Sequence, residues 1–202
     1  MGNELQCTVR FGKQVLRGKA LLETSELIFR GDFPLKIPFK AMKSVDAVDG
    51  ELRVEAPEGR VVFEIGDSAV KWREKILHPK SRIEKLGVKR DARVSLLGDF
   101  DDDFIRELAA LTDNLSTVAI GGDAEHIFFS APSKRELSVV SKHAKRMKGS
   151  VALWVVYPKG QKEITENDVI GAGRKSGLKD VKVVRFSQTH TALKFVIPLD
   201  ER

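Results

Sequence analysis

The sequence predicts an α+β chain in two parts: a bent β-sheet or barrel closed by a C-terminal helix, then a three-layer α/β domain ending in an antiparallel hairpin. Three observations predict it. Apolar residues before position 65 alternate, as in Leu35, Ile37 and Phe39, so those strands have one buried and one wetted face. Beyond position 94 the apolar runs become continuous, as in residues 151–156, which suits parallel strands covered on both faces. A polar, basic stretch lies between the two styles. The expected boundaries are 1–78 for the first domain, 79–91 for a linker and 92–202 for the second domain.

In the first part, residues 7–11 and 15–22 flank the hairpin-like break Gly12-Lys13. Thr24-Ser25 separates Leu22 from the strand at 27–29, and Gly31-Asp32 with Pro34 breaks the chain before 35–39. Asp49-Gly50, between 45–48 and 52–54, is a strong two-residue hairpin signal. Glu58-Gly59 introduces 61–65. Asp67 or Ser68 then caps a helix that places Ala69, Val70, Trp72, Ile76 and Leu77 on one side, and His78-Pro79 stops it. About seven strands and one amphipathic helix result, each near average length.

In the second part, strands are expected at 94–97, 117–120, 127–129 and 151–156. Asp101, Asp102 and Asp103 precede a helix whose inner face is Phe104, Leu108 and Leu111. Ser133 and Glu136 form a capping box opening a helix with Leu137, Val140, Ala144 and Met147 inward, ended by Gly149. Another helix opens at 165–168 and stops at Gly177. Strands at 181–186 and 192–197 are joined by a link too short for anything but an antiparallel return. The direction of the strand at 127 stays open, because Gly121-Gly122 allows a tight turn where a parallel crossover would need a dozen or more residues.

Composition narrows the function classes. No apolar run approaches the roughly 20 residues of a membrane-spanning helix. No basic segment followed by an apolar stretch marks the N-terminus, and Gln6 stands where a Met1-Gly2 myristoylation site carries a hydroxyl. The single cysteine, Cys7, excludes an internal disulfide and suits a reducing compartment, so a cytoplasmic protein is expected. The net charge of +6 invites a nucleic-acid reading, but the excess is spread over both halves. Arg135, Lys142 and Arg146, with Lys134, Lys145 and Lys148, offer contacts to an anion or nucleic acid. No aromatic residue interleaves with them as a single-strand binder would require, so nucleic acid is not favoured.

Residues 18–29, the Ile37-Pro38-Phe39 strand and Ala69-Val70-Lys71-Trp72 carry a resemblance to the pleckstrin-homology-like superfold, including GRAM-type domains, over roughly residues 5–77. The loop at Gly12-Lys13 lacks the basic cluster of lipid-binding members, so no membrane partner is carried over. Met147-Lys148-Gly149 running into residues 153–159, and Gly177-Leu178 followed by 181–184, resemble the second half of a Rossmann-type methyltransferase. Residues 85–198 also resemble a bacterial family of this shortened architecture, which implies no particular activity.

The departures shape the functional expectation. Where such methyltransferases place a glycine-rich cofactor loop, this chain has residues 97–103 with Gly98 as the one glycine, and Phe100 stands where the ligand would need space. The sequence therefore predicts a non-catalytic binding or interaction module with no cofactor, working with an unidentified protein partner. The alternative is a methyltransferase-like enzyme using the crevice at the strand carboxyl ends, with Gly98, Asp99, Asp123, Ser130 and Lys159 lining it. A second alternative is weak nucleic-acid binding through the basic patches. Asp99, Asp101, Asp102 and Asp103 are also candidate Mg²⁺ ligands, although helix capping explains them as well. His190, between two threonines, faces either the crevice or water.

Overall fold

A computed structural model describes residues 3–201; Met1 and Gly2, where the lipidation signal was weighed, lie outside the described residues. The chain is mixed α+β with two sheets and forms two compact units, Met1–Lys80 and Ser81–Arg202.

The first unit contains β1 (Asn3–Phe11), β2 (Gln14–Leu22), β3 (Glu26–Gly31), β4 (Leu35–Pro38), β5 (Ser44–Val48), β6 (Glu51–Ala56), β7 (Gly59–Glu64) and the helix α1 (Ser68–Leu77). Its antiparallel sheet has the order β4-β3-β2-β1-β7-β6-β5. Asp49 and Gly50 both take positive φ, 50° and 79°, so Val48 pairs with Glu51 across the two-residue turn that matches strand twist. Alternation along β6 buries Leu52, Val54 and Ala56. α1 packs on β5 and β6 through Ala69, Trp72 and Ile76. Val70 and Leu77, expected on the same inner side, are exposed instead, because one apolar stripe of a short helix satisfies the sheet.

The second unit contains α2 (Arg82–Leu86), β8 (Val94–Leu97), α3 (Asp102–Ala109), β9 (Leu115–Ser116), β10 (His126–Ser130), α4 (Val140–Ala144), β11 (Ala152–Pro158), α5 (Glu166–Lys175), β12 (Lys179–Arg185) and β13 (His190–Val196). The sheet order is β12-β13-β11-β10-β8-β9. β9, β8, β10 and β11 run parallel, and β13 lies antiparallel to both β11 and β12. Every residue of β11 is buried, which is why its sequence is an unbroken apolar run. One core holds Phe104, Leu108, Phe128, Trp154 and Phe186; the other holds Ile127, Phe129, Leu153, Val155 and Phe195.

Three expectations change here. Within the basic linker expected at 79–91, residues 82–86 form the helix α2 with a reciprocal Ser81–Glu84 capping box, and Ile83 is buried in the second unit together with Leu86 and Val88. The expected strand at 117–120 is only the two-residue β9, and Thr117, Val118 and Ala119 are exposed. The chain returns from there to the start of the sheet, which makes β10 parallel without a helical crossover. The helix expected from Ser133 to Met147 is a 3₁₀ turn at Glu136–Val139 followed by the short α4, and only half of the Ser133–Glu136 box forms: Glu136 accepts from Ser133 N–H at 3.1 Å, while Ser133 Oγ accepts from Arg135 N–H at 3.3 Å. No helix among the described residues is long and apolar enough to cross a membrane.

Candidate functional site

The carboxyl ends of parallel strands gather the residues that follow them. Here the loop after β8, Ser130 at the end of β10, Val156 of β11 and the β12–β13 link at 186–190 surround a crevice of about 850 Å³. Asp99, Phe100, Asp101, Asp103, Arg106 and Glu107 form one wall; Phe186, Ser187, Gln188, Thr189 and His190 form another.

Arg82 joins the two walls. Its guanidinium lies 5.0 Å from the Phe104 ring centroid and 4.9 Å from that of Phe186. It donates from Nη1 to Asp101 Oδ2 at 3.0 Å and from Nε to Glu107 Oε2 at 3.0 Å, and its side chain is only 13% exposed. Burial alone would lower the pKa of this guanidinium, but the hydrogen bonds it donates to Glu107 and Asp101 outweigh it and leave it raised. Asp101 caps α3, accepting from Phe104 N–H at 2.8 Å. Burial raises its pKa, but Arg82 and this amide hold it below the usual carboxylate value.

The expected crevice residues divide. Asp99 and Ser130 line the crevice. Gly98 takes φ +89°, and a Cβ there would stand 3.2 Å from the Ser130 Cβ, so its glycine serves close packing of the chain on itself. Lys159 contributes its backbone, donating from N–H to Thr189 O at 2.9 Å, while its side chain is not part of the lining. Asp123 is at the opposite end of the sheet, 3.2 Å from Arg93 Nε and beside the start of β10. The reason is the truncated β9: without a full strand at 117–120, the turn after it falls at the amino end.

The four aspartates do not converge on a metal. Asp101 is taken by Arg82, Asp103 by Arg106, and Asp102 is outside the crevice. Among the described residues, no group of three or more His, Cys, Asp or Glu is arranged to hold a metal ion. Asp99 makes no hydrogen bond or ion pair among the described residues, while Asp101, Asp103 and Glu107 of the same lining are each paired with an arginine. Arg135, Lys142 and Arg146 lie exposed on the segment around α4, apart from the crevice.

His190 faces the crevice, with Nδ1 3.0 Å from Thr189 Oγ1. Sequence reasoning missed Arg82, Arg106, Glu107 and Phe186. Arg82 was read as linker charge; the Ser81-x-x-Glu84 capping signature was the available sign of a helix there.

No protein-family model matches the chain, and no curated protein sequence matches it. Solved structures similar to it include a S-adenosylmethionine (SAM)-dependent methyltransferase from Aquifex aeolicus, at 12% identity and TM-score 0.42, covering 57% of this chain and 87% of that one. They include magnesium protoporphyrin IX methyltransferase from Synechocystis PCC 6803 with bound SAM, at 14% identity and TM-score 0.39, covering 65% of this chain and 77% of that one. A TehB-like SAM-dependent methyltransferase from Corynebacterium glutamicum matches at 10% identity and TM-score 0.39, covering 65% and 97%.

The expectations of a non-catalytic module and of no cofactor are corrected at the loop after β8, where the crevice stands open. They rested in part on Phe100 filling the ligand space. Its ring instead packs 5.5 Å from Phe104 and 6.2 Å from Phe186, forming a wall and leaving the crevice open.

Proposed function

We propose that the unit Ser81–Arg202 is a methyltransferase-like enzyme that binds a SAM-type cofactor in the crevice at the carboxyl ends of β8, β10 and β11. The observation that carries this reading is the crevice itself: about 850 Å³, lying where open α/β sheets bind their ligands, with Asp99, Ser130 and His190 brought together from three separate segments. The side chains suit a cofactor of this class. Asp99 offers an uncompensated carboxylate to a cationic group, Ser130, Gln188 and Thr189 offer hydroxyl and amide partners, and Phe100 and Phe186 offer apolar surface to a flat ring.

When bound, such a cofactor supplies an electrophilic methyl group on a sulfonium centre. The chain's part is to orient and to handle protons. Arg82 holds Asp101 and Glu107, which fixes the start of α3 and so the loop bearing Asp99. His190 is the imidazole in the lining, with Nδ1 3.0 Å from Thr189 Oγ1, and its ring is placed to take a proton from a methyl acceptor.

The unit Met1–Lys80 is proposed as a pleckstrin-homology-like domain; its strand order and the helix packed on β5 and β6 support that reading. The reducing-compartment argument from Cys7 supports a cytoplasmic setting.

Isothermal titration of the full chain with SAM and with S-adenosylhomocysteine tests the cofactor. Saturable binding is expected, weakened about tenfold or more by Asp99→Asn through loss of a charged contact. Absence of heat at millimolar ligand, or identical affinity in Asp99→Lys, would overturn the assignment.

A further inference from the structure

A second cleft opens on the other face of the unit, between the 3₁₀ turn Glu136–Val139 with α4 on one side and α5 on the other. It has a volume of about 560 Å³ and includes Lys134, Leu137, Ser141, Asn167, Gly171 and Lys175. It is separate from the crevice and shares no lining residue with it.

The two glycines of α5 differ in what they serve, and only Gly171 lines the cleft. Gly173 is required by packing, since a Cβ there would lie 2.0 Å from the Phe195 ring. Gly171 meets no heavy atom within 4 Å of its Cβ position, so nothing inside the fold demands glycine. Glycine inside a helix is destabilising relative to alanine. The feature that its missing side chain does serve is the cleft it lines.

The polar groups around the cleft are arranged to donate. Asp168 is the acid in the lining, and Lys134 Nζ holds it at 2.6 Å while Thr165 caps α5 against it. Its pKa falls to about 2, first because of Lys134 and then because of Thr165, so it stays ionised and occupied. Ser138 and Ser176 donate to the carbonyls of Arg135 and Ala172 at 2.8 Å each. The Ser141 hydroxyl, Asn167 amide and Lys175 ammonium make no hydrogen bond or ion pair among the described residues. Lys142 and Lys145 stand one helical turn beyond Ser138 and Ser141, and neither has an ion pair among the described residues. The positive field is felt locally: burial first, then Lys142 and Arg146, hold the His143 imidazole below its usual pKa.

We infer that the cleft between α4 and α5 docks an acidic peptide segment of a partner protein, with Lys175, Ser141 and Asn167 donating to it over the open floor at Gly171. Charge complementarity selects an anion, and the donors Asn167 and Lys175 stand about 12 Å apart along α5, a spacing that a chain segment spans and one small anion does not. No aromatic residue lines it, which removes the stacking platform that single-stranded nucleic acid uses.

Fluorescence anisotropy of the full chain with a short labelled peptide alternating glutamate and alanine tests this, against the same peptide with glutamine. A saturable rise is expected for the glutamate peptide alone, with Lys175→Glu and Gly171→Leu each weakening it about tenfold. Gly171→Ala should melt at or above the parent temperature, which checks that the position is open. Asp99→Asn should leave peptide binding unchanged, separating this site from the crevice. Lys175→Glu is a surface change that keeps the test valid even where Gly171→Leu fails to fold. No saturable binding, equal binding of the glutamine peptide, insensitivity to Lys175→Glu, or tighter binding of single-stranded RNA would overturn the inference.

Discussion

At the amino ends of β8 and β10, Arg93 donates from Nε to Asp123 O at 2.7 Å and pairs with Glu125 at 3.3 Å, while Thr112 Oγ1 donates to Ala92 O at 2.8 Å. Asn114 also donates to Asp91 O at 3.0 Å. At the carboxyl ends of the same strands, Arg82 ties down Asp101 and Glu107, but Asp99 makes no hydrogen bond or ion pair among the described residues and lines an open crevice. Both ends are rich in carboxylates and arginines. One end uses them to close loops against each other; the other uses Arg82 to brace a wall and leaves a charge facing open space. Residue type alone therefore does not separate an aspartate held in an ion pair, such as Asp123, from one facing an open crevice, such as Asp99.

The largest test of this contrast removes the brace beneath the crevice. Phe104 is fully buried, 5.1 Å from Phe128 and 4.7 Å from Phe186 by ring centroids, with Arg82 over its face. Phe104→Ala should cost about 3–5 kcal/mol in urea unfolding and should abolish binding in the crevice. A loss below about 1 kcal/mol would show that the aromatic cluster does not support this end.

At the amino end, His126 opens β10 with its ring stacked on Phe128 at 6.3 Å and its Nδ1 buried without a hydrogen-bond partner among the described residues. Burial first, then Lys194, push its pKa down to about 4, with Glu125 opposing them. The folded state thus holds the imidazole neutral while the unfolded chain binds a proton near pH 6.5. Stability from this group is present above that value and is lost as pH falls towards 4, by up to about 3 kcal/mol. The parent protein should lose more stability than His126→Phe between pH 7 and pH 4. Parallel loss in both proteins would contradict the buried, neutral state.

The smallest effect belongs to the outer pairs. Arg93 is half exposed, so Arg93→Ala should cost about 1 kcal/mol or less and the cost should shrink in high salt. Asp123→Asn should leave SAM affinity unchanged while Asp99→Asn lowers it. If the two substitutions act alike in titration, the two ends are not chemically distinct.

Much of the strand pattern was legible because it depends on local chemistry. Asp49-Gly50 turned where expected, since few other pairs take positive φ twice in succession. Residues 151–156 were readable as a strand covered on both faces because no polar residue interrupts them. Short-range reading failed where a segment's fate depends on distant partners. Residues 117–120 have the composition of a strand, but the ladder with β8 ends at the Ser95–Ser116 pair and the chain turns back there, with Ser116 Oγ donating to Ala119 O and Gly121 N–H to Ser95 Oγ. Phe100 looked like an obstruction until Phe104 and Phe186 supplied somewhere for its ring to lie.

What the sequence determined by itself was the alternation, the turns and the caps, because each depends on residues a few positions apart. The tertiary structure alone decided which carboxylates are paired and which face the open crevice. Arg82 reaches Asp101 and Glu107 across 19 and 25 positions of chain, and Arg93 reaches Asp123 across 30. Charge pairing acts through space over a few ångströms, so the meaning of each aspartate was set by which arginine the fold carried to it.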